Sequence, residues 1–554
     1  MELWNFADVW ETVAATVPER LALIHGTTRR TWAQLSARAD RVGRGLVGAG
    51  LGPQDKVSLL LYNGPEYIET AFAALKCALV PVNTNYRYGP DELVYLWSDA
   101  DTAAVVFSGA LTESVAAARN HLPDIRLWIH VDDGSHPRPS WAADYEQLAS
   151  GRDTDSAPLA GGAATDPRRQ RSGDDLILIY TGGTTGRPKG VMWRQHDLYR
   201  VSDTARDPAE ADLDRVRQRL LEQRPAPPVG LPAAPLMHGT GFVFAGTILS
   251  RGGTLVTLTS RSFVVSELLD TIDRERVTAL CIVGDAFCLP IVNALDAEPE
   301  RWDISSLTAV SSAGMVWSAQ NKERLLVHAP DALLLDTLNS SEASGMGRSI
   351  TSRQRPAGQT RFRLGENAFV IGDDGRELAP GSGQVGRLAV RGHLPLGYYK
   401  DPVKTAEVFT EIRGRRCSIP GDYATVELDG TITLLGRGST SINTAGEKVY
   451  PEEVEAVLRG HPDVVDALVI GVPDERFGEV VVAAVQTVPG AAIDAAMLIA
   501  HTRDRLAGYK TPRHVMLVGS VERGPSGKAD YPAVRRRLLE WMRQPQPANA
   551  GDRR

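Results

Sequence analysis

The chain has 554 residues, 43% of them hydrophobic and 23% charged, with a net charge of -7. That length exceeds a single hydrophobic core and points to roughly three or four folding units. The acid excess argues against broad electrostatic binding of nucleic acid or of an anionic membrane surface. No apolar run approaches the about 18 residues of a membrane span, and the acidic opening "MELWNFADVWE" does not read as a secretory signal. The four cysteines, Cys77, Cys281, Cys288 and Cys417, lack metal-ligand spacing, and together these features favour a reducing cytoplasmic compartment.

In chain order, residues 6–50 read as two helices around "HGTTRRTWAQL", a short hairpin followed by a threonine able to cap the next helix. "KVSLLLYN" (56–63) reads as a strand, "PEYIETAFAALKCAL" (65–79) as a helix and "VPVNTN" (80–85) as a strand. "PDELVYLWSDA" followed by "TAAVVFS" repeats the helix-then-strand order. Such alternation predicts an open, mostly parallel sheet covered by helices. Two segments interrupt it: 151–173 reads as an exposed connection rich in Gly, Ala, Asp and Arg, and 205–228 as a highly charged surface helix.

From about Arg361 the texture changes to short apolar strands separated by turns. Residues 422–439 read as a hairpin around Asp429 and Gly430. A compact α+β piece follows, built from "YPEEVEAVLRGH", "VVDALVIGVP", "EVVVAAVQ", a helix at 491–506 and "HVMLVGS". The expected fold class is α/β. A large N-terminal domain (1–438) holds parallel-rich sheets with helices plus a small β unit, a smaller α+β C-terminal domain covers 439–543, and 544–554 form a disordered tail.

Between these stands "YTGGTTGRPKG", directly after the apolar run "LILI". Lys189 follows Pro188 and precedes Gly190, so the Walker pattern fails, and the Rossmann pattern of glycines fails too. What remains is a hydroxyl-rich anion loop. Gly182, Gly183 and Gly186 let backbone N–H groups converge on phosphate oxygens, Thr181, Thr184 and Thr185 add side-chain donors, and Lys189 adds a point charge. A random Gly/Thr cluster would be a flexible surface turn; the order of these residues argues for phosphate.

"YTGGTTGRPKGV" resembles the phosphate-loop signature of the adenylate-forming superfamily, which includes acyl-CoA synthetases, luciferases and peptide-synthetase adenylation domains. The resemblance runs from about Phe6 to Lys528. "GYYKD", "IPGDYA" and "GRGSTSINTAGEKVYPEEVE" are similar to an actinobacterial group of fatty acyl-CoA synthetases that includes sterol side-chain types. The resemblance implies a carboxylate attacking the α-phosphate of ATP, then a thiol, usually of coenzyme A, attacking the acyl-AMP. It implies Mg2+ held by Glu342 and Ser341 in "LNSSEAS", with Lys189 and Lys528 as catalytic cations, Lys528 being carried by a mobile C-terminal domain. Asp422 and Arg437 would serve the ribose or phosphate, Ala313 and Gly314 would pass beside adenine, and His238, Gly239 and Met315 would border the acyl pocket. Gly446, Glu447 and Lys448 would line the thiol channel if the domain turns about Ser439.

Taken singly, several of these residues have ordinary alternatives. "SSE" could be a helix cap, Asp422 a turn aspartate, Arg437 a surface ion-pair partner and His238 a structural histidine. Leu338, Ser439, Asn443 and Ala445 depart from the wider superfamily. The expected activity is an ATP-dependent acyl-CoA synthetase for a hydrophobic carboxylic acid, with a homodimer left open. Delivery of acyl-AMP to a carrier protein and a non-catalytic nucleotide- or acyl-binding role are the competing readings. A kinase or motor NTPase would need the missing Walker loop.

Overall fold

The computed structural model describes residues 4–151, 171–181, 187–202, 213–222, 226–315, 317–356, 361–437, 442–444, 447–474, 478–521, 523 and 529–543. They group into two compact units, Met1–Gln359 with Val390–Ser418, and Thr360–Ala389 with Ile419–Arg554. The boundary expected at 438/439 and the tail at 544–554 lie outside the described residues, as does most of the 151–173 connection. At the end of that connection Arg171 is not exposed: its guanidinium is buried against Asp8 at 2.8 Å and Glu11 at 2.5 Å.

The first unit contains two sheets that run mostly parallel. In the first, Ala143–Asp144, Leu127–Val131, Thr102–Ser108, Lys56–Leu60, Val80–Asn83 and Leu176–Thr181 lie side by side in parallel. Lys189–Arg194 and then Gly397–Tyr398 extend this sheet in antiparallel sense. Every residue of Thr102–Ser108 is buried, as expected of a strand covered by helices on both faces. In the second sheet, Leu21–His25, Thr254–Thr257, Val229–Pro232, Ala279–Ile282, Ala309–Ala313 and Leu333–Ser340 are parallel neighbours, flanked by antiparallel Thr28–Thr31 and Ala343–Thr351.

Local chemistry sets the element ends. Asn5 and Asp8 form a reciprocal capping box on Phe6–Thr16, and Thr31 with Gln34 does the same for Trp32–Gly48. The strands expected to reach residues 63 and 85 stop at Leu60 and Asn83. The helix expected to reach 79 stops at Lys76, because Ala78 turns to φ +55°. The charged segment at 205–228 contains the helix Leu213–Glu222, which buries only Val216 and Leu220.

The second unit holds a small β assembly and an α+β sheet. Its hairpin pairs Asp422–Val426 with Thr431–Arg437, and Val385–Arg391 and Phe362–Leu364 flank it. In the other sheet Gly478–Thr487 pairs with Val464–Asp474 and, in parallel, with His514–Val518. Strand alternation divides its residues between two cores. Ala467 and Val469 face Val454, Leu458 and Leu498, while Leu468, Ile470 and Val472 face Val534 and Leu538. Helices Pro451–Arg459 and Ala495–Arg503 thus cover one face and Tyr531–Met542 the other. The helix expected at 491–506 is shorter because Asp494 caps it by accepting from Met497 N–H.

All four cysteines are buried, and none forms a disulfide. Burial pushes the Cys77 thiol up to about 11 and those of Cys281 and Cys288 up to about 12. No helix among the described residues is long and apolar enough to cross a membrane.

One buried charge network ties three helices of the first unit. Glu69 is fully buried, accepts from Arg38 Nε at 2.7 Å and from the Tyr145 hydroxyl at 3.0 Å, and Arg38 reaches on to Glu146. Removing Glu69 takes a partner from the buried Arg38 guanidinium and Tyr145 hydroxyl and leaves Arg38 only the largely exposed Glu146. Glu69→Ala is expected to lower stability by roughly 3–5 kcal/mol, read as a lower urea midpoint by tryptophan fluorescence, with Glu69→Gln less damaging.

Candidate active site

The glycine-rich segment connects Leu176–Thr181 to Lys189–Arg194, with Thr181 opposite Lys189 in the ladder. Gly182, Gly183, Thr184, Thr185 and Gly186 lie outside the described residues, whereas both ends of the segment are held firmly. The buried Tyr180 ring lies against Gly190, where an added Cβ would come within 2.7 Å of it, so a side chain there would displace the ring. The Tyr180 hydroxyl donates to Asp99 Oδ2 at 2.6 Å, and burial next to that carboxylate raises the phenol pKa. On the other side of the segment the Tyr95 hydroxyl donates to the Pro188 carbonyl at 3.2 Å, and the Arg187 guanidinium lies 4.8 Å from the Tyr95 ring centroid.

Two asparagines join this loop to the second sheet. Asn83 Nδ2 donates to the carbonyls of Tyr180 at 2.9 Å and Met237 at 2.6 Å, while Oδ1 accepts from Tyr180 N–H at 2.7 Å. Asn63 Nδ2 donates to the Ala234 carbonyl at 3.3 Å, and Oδ1 accepts from Leu236 N–H at 2.7 Å. The segment just before His238 is therefore held against the ends of two neighbouring parallel strands. His238 immediately precedes the helix Gly239–Ser250 in extended conformation.

Ser341 and Glu342 form the tip of the hairpin between Leu333–Ser340 and Ala343–Thr351, where Ser340 pairs with Ala343. They do not cap a helix. Trp193 Nε1 donates to the Ser341 carbonyl at 2.9 Å, and the Ser418 hydroxyl donates to the Glu342 carbonyl at 2.8 Å. The Tyr398 hydroxyl donates to Glu342 Oε1 at 2.8 Å. Lys189 pairs with Asp401, and its ammonium lies 5.8 Å from the Tyr398 ring centroid. The hydrogen bond from Lys189 holds the Asp401 carboxyl below its ordinary value. Asp401 also caps Pro402–Val408 by accepting from Lys404 N–H at 2.9 Å. Lys189 is 40% and Asp401 30% exposed, so this pair contributes about 0–1 kcal/mol, little enough for a polyanion to replace Asp401.

Lys189 and Glu342, far apart in sequence, thus meet around one tyrosine. Ala313 ends the strand next to the one carrying the hairpin tip and pairs with Thr337. Gly314 follows at φ +86°, a region open to glycine, with Val283 Cγ1 3.9 Å from where a Cβ would stand. Met315 packs against the core of the second sheet. In the second unit, Asp422 is buried and pairs with Arg437 across the hairpin. For Glu447, Lys448 and Asn443 the strand backbones are described, with Asn443 opposite Lys448. Lys528, Ser439, Ala445 and Gly446 lie outside the described residues. Leu338 pairs with Gly347 on the strand leading to the hairpin tip.

Asn63, Asn83, Trp193, Tyr398 and Asp401 were not singled out from the sequence. Tyr398 and Asp401 belong to "GYYKD", so that motif was the available signal; for the others the contacts are long-range and leave no local pattern. Among the described residues there is no cluster of three or more His, Cys, Asp or Glu side chains able to hold a metal ion. One carboxylate and one hydroxyl, Glu342 and Ser341, instead suit a hard cation that arrives with substrate phosphates and keeps water ligands.

This architecture is that of an adenylate-forming enzyme. It matches the anthranilate CoA ligase AuaEII in complex with anthranoyl-AMP with a TM-score of 0.80 at 21% identity, over 98% of this chain and 99% of that one. ATP-bound MatB from Rhodopseudomonas palustris matches with a TM-score of 0.78 at 25% identity, over 98% of this chain and 100% of that one. The profile of the AMP-binding enzyme family matches residues 10–399, and that of the AMP-binding enzyme C-terminal domain matches 453–528. The chain belongs to the AMP-binding enzyme family. It is 42% identical over 536 residues, 95% of each chain, to a medium/long-chain-fatty-acid–CoA/3-oxocholest-4-en-26-oate–CoA ligase of Mycolicibacterium smegmatis.

Asn83→Ala removes both partners that Tyr180 and Met237 find on that side chain. Each buried polar group left unpaired costs about 1–3 kcal/mol. The variant is expected to melt several degrees lower and to raise KM for ATP more than it lowers kcat, as measured by thermal unfolding and initial rates.

Proposed function

We propose that the protein is an ATP-dependent acyl-CoA synthetase for hydrophobic carboxylic acids, fatty or sterol side-chain, working in the reducing cytoplasm. The observation that carries this reading is the meeting of Lys189 and Glu342 around Tyr398 beside the glycine-rich loop. A nucleotide triphosphate needs both an anion-binding and a cation-binding group, and an ammonium and a carboxylate around one tyrosine support that reading. The named relative supports the acid class, and four cysteines without a disulfide fit the compartment.

In the first step the substrate carboxylate oxygen attacks the α-phosphorus, and the bond to the β-phosphate bridging oxygen breaks, giving acyl-AMP and pyrophosphate. Two anions must approach, so positive charge has to offset their repulsion. Lys189 and the loop N–H groups take the phosphates, with the hydroxyls of Thr181, Thr184 and Thr185 as further donors. Glu342 and Ser341 would hold the Mg2+ that accompanies ATP, and the ion would supply neutralisation of phosphate charge. Asp422 accepts from the ribose hydroxyls, with Arg437 beside it in the ladder, and Ala313 and Gly314 leave room for the flat adenine ring. Lys528 supplies the cation for the transition state.

In the second step the thiol sulfur of coenzyme A attacks the acyl carbon and AMP leaves. Gly446, Glu447 and Lys448 serve the thiol channel, with Ser439 as the hinge between steps. His238, Gly239 and Met315 border the acyl group, where each buried methylene contributes about 0.8 kcal/mol.

The test is pyrophosphate release over acids of graded length, steroid side-chain acids and aromatic acids, with and without coenzyme A. The expected result is acid-dependent pyrophosphate and AMP, and a CoA thioester only when coenzyme A is present. Formation of ADP, or pyrophosphate release indifferent to every acid, overturns it; acyl-AMP that never passes to coenzyme A points to another acceptor. Lys528→Ala is expected to lower adenylation by about a hundredfold or more while still converting preformed acyl-AMP to thioester. Asp422→Ala is expected to raise KM for ATP.

A further inference from the structure

We propose that Tyr398 is a positioning residue for nucleotide–metal binding, fixing the Glu342 carboxylate through its hydroxyl while its ring stations the Lys189 ammonium. The proposal rests on the roles of Glu342 and Lys189 given above.

Tyr398 is held on every side. Its strand pairs with Lys189–Arg194, placing Tyr398 opposite Val191. Its N–H donates to Thr405 Oγ1 at 2.9 Å, and that hydroxyl donates in turn to the Asp401 carbonyl at 2.7 Å. Its ring meets Phe409 edge-on at 6.1 Å, and the residue is 7% exposed. The hydroxyl therefore has little freedom in where it points.

Glu342, by contrast, sits on a hairpin tip, where an unassisted carboxylate would sample several rotamers. The 2.8 Å bond from a neutral phenol to the carboxylate is charge-assisted and selects one of them. It occupies Oε1; among the described residues Oε2 accepts no hydrogen bond, which leaves that oxygen for a divalent cation. Hydrogen bonds that orient a metal-binding side chain contribute strongly to metal affinity. The same ring lies within cation–π range of Lys189. One buried residue thereby sets the spacing between the group that takes the metal and the group that takes phosphate.

The experiment measures ATP binding to the full chain by calorimetry, without acid or coenzyme A, in excess Mg2+ and in chelator. Tyr398→Phe is expected to weaken binding in Mg2+ by about tenfold, the loss for one hydrogen bond to a charged group, and to leave binding in chelator unchanged. In a Glu342→Gln background the further change Tyr398→Phe should have no added effect, because it acts through that carboxylate. If Tyr398→Phe binds ATP in Mg2+ like the parent, or weakens binding equally in chelator, the positioning role is overturned and the proposed activity stands. If Glu342→Gln leaves the Mg2+-dependent affinity unchanged, the assignment of Glu342 to the metal fails, and the role of Tyr398 fails with it.

Discussion

The strand Lys189–Arg194 is paired on both edges, and the site depends on that pairing. On one edge it meets Leu176–Thr181, which leads into the glycine-rich loop; on the other it meets Gly397–Tyr398. Gly190 marks the crossing. Its backbone lies against the Tyr180 ring, and its carbonyl accepts from Tyr399 N–H at 2.8 Å. A ladder of main-chain hydrogen bonds is insensitive to side-chain chemistry, so it can bring segments some two hundred residues apart into fixed register. Lys189, Tyr398 and Asp401 are neighbours for that reason, and Trp193, on the same strand, reaches the backbone of the hairpin that carries Glu342.

The sheets themselves are mostly parallel, with their polar joints at the strand ends. Asn63 and Asn83 turn out of neighbouring strands and satisfy the backbone before His238. Such joints replace water on main-chain groups that would otherwise be orphaned, and they tie the strand entering the glycine-rich segment to the stretch before His238. In the second unit the apolar alternation of Val464–Asp474 places consecutive residues in two different cores, so one strand cements helices on both faces.

Much of this was legible in the sequence. The order of strands and helices, the Thr31 cap and the hairpin around Asp429 follow from periodicity and turn chemistry, which are local. Glu342 was singled out only through resemblance to a family, since "SSE" alone reads as a cap. Tyr398, Asp401 and the two asparagines were not singled out because their meaning lies in partners far along the chain. The expected strands 56–63 and 80–85 stop at Leu60 and Asn83, and just there Asn63 and Asn83 reach the carbonyls of Ala234 and Met237 outside the sheet. The buried ion pairs, such as Arg38 with Glu69, were invisible for the same reason.

The buried thiols carry a consequence of their own. With their ionisation pushed to about 11 and 12, Cys77, Cys281 and Cys288 hold almost no thiolate at neutral pH. Cys77 belongs to a core that draws on strands of both sheets, and Cys281 and Cys288 to the core around the second. An alkylating reagent should therefore label each only when its own core opens, so the chain contains built-in reporters that time the opening of one core separately from the other.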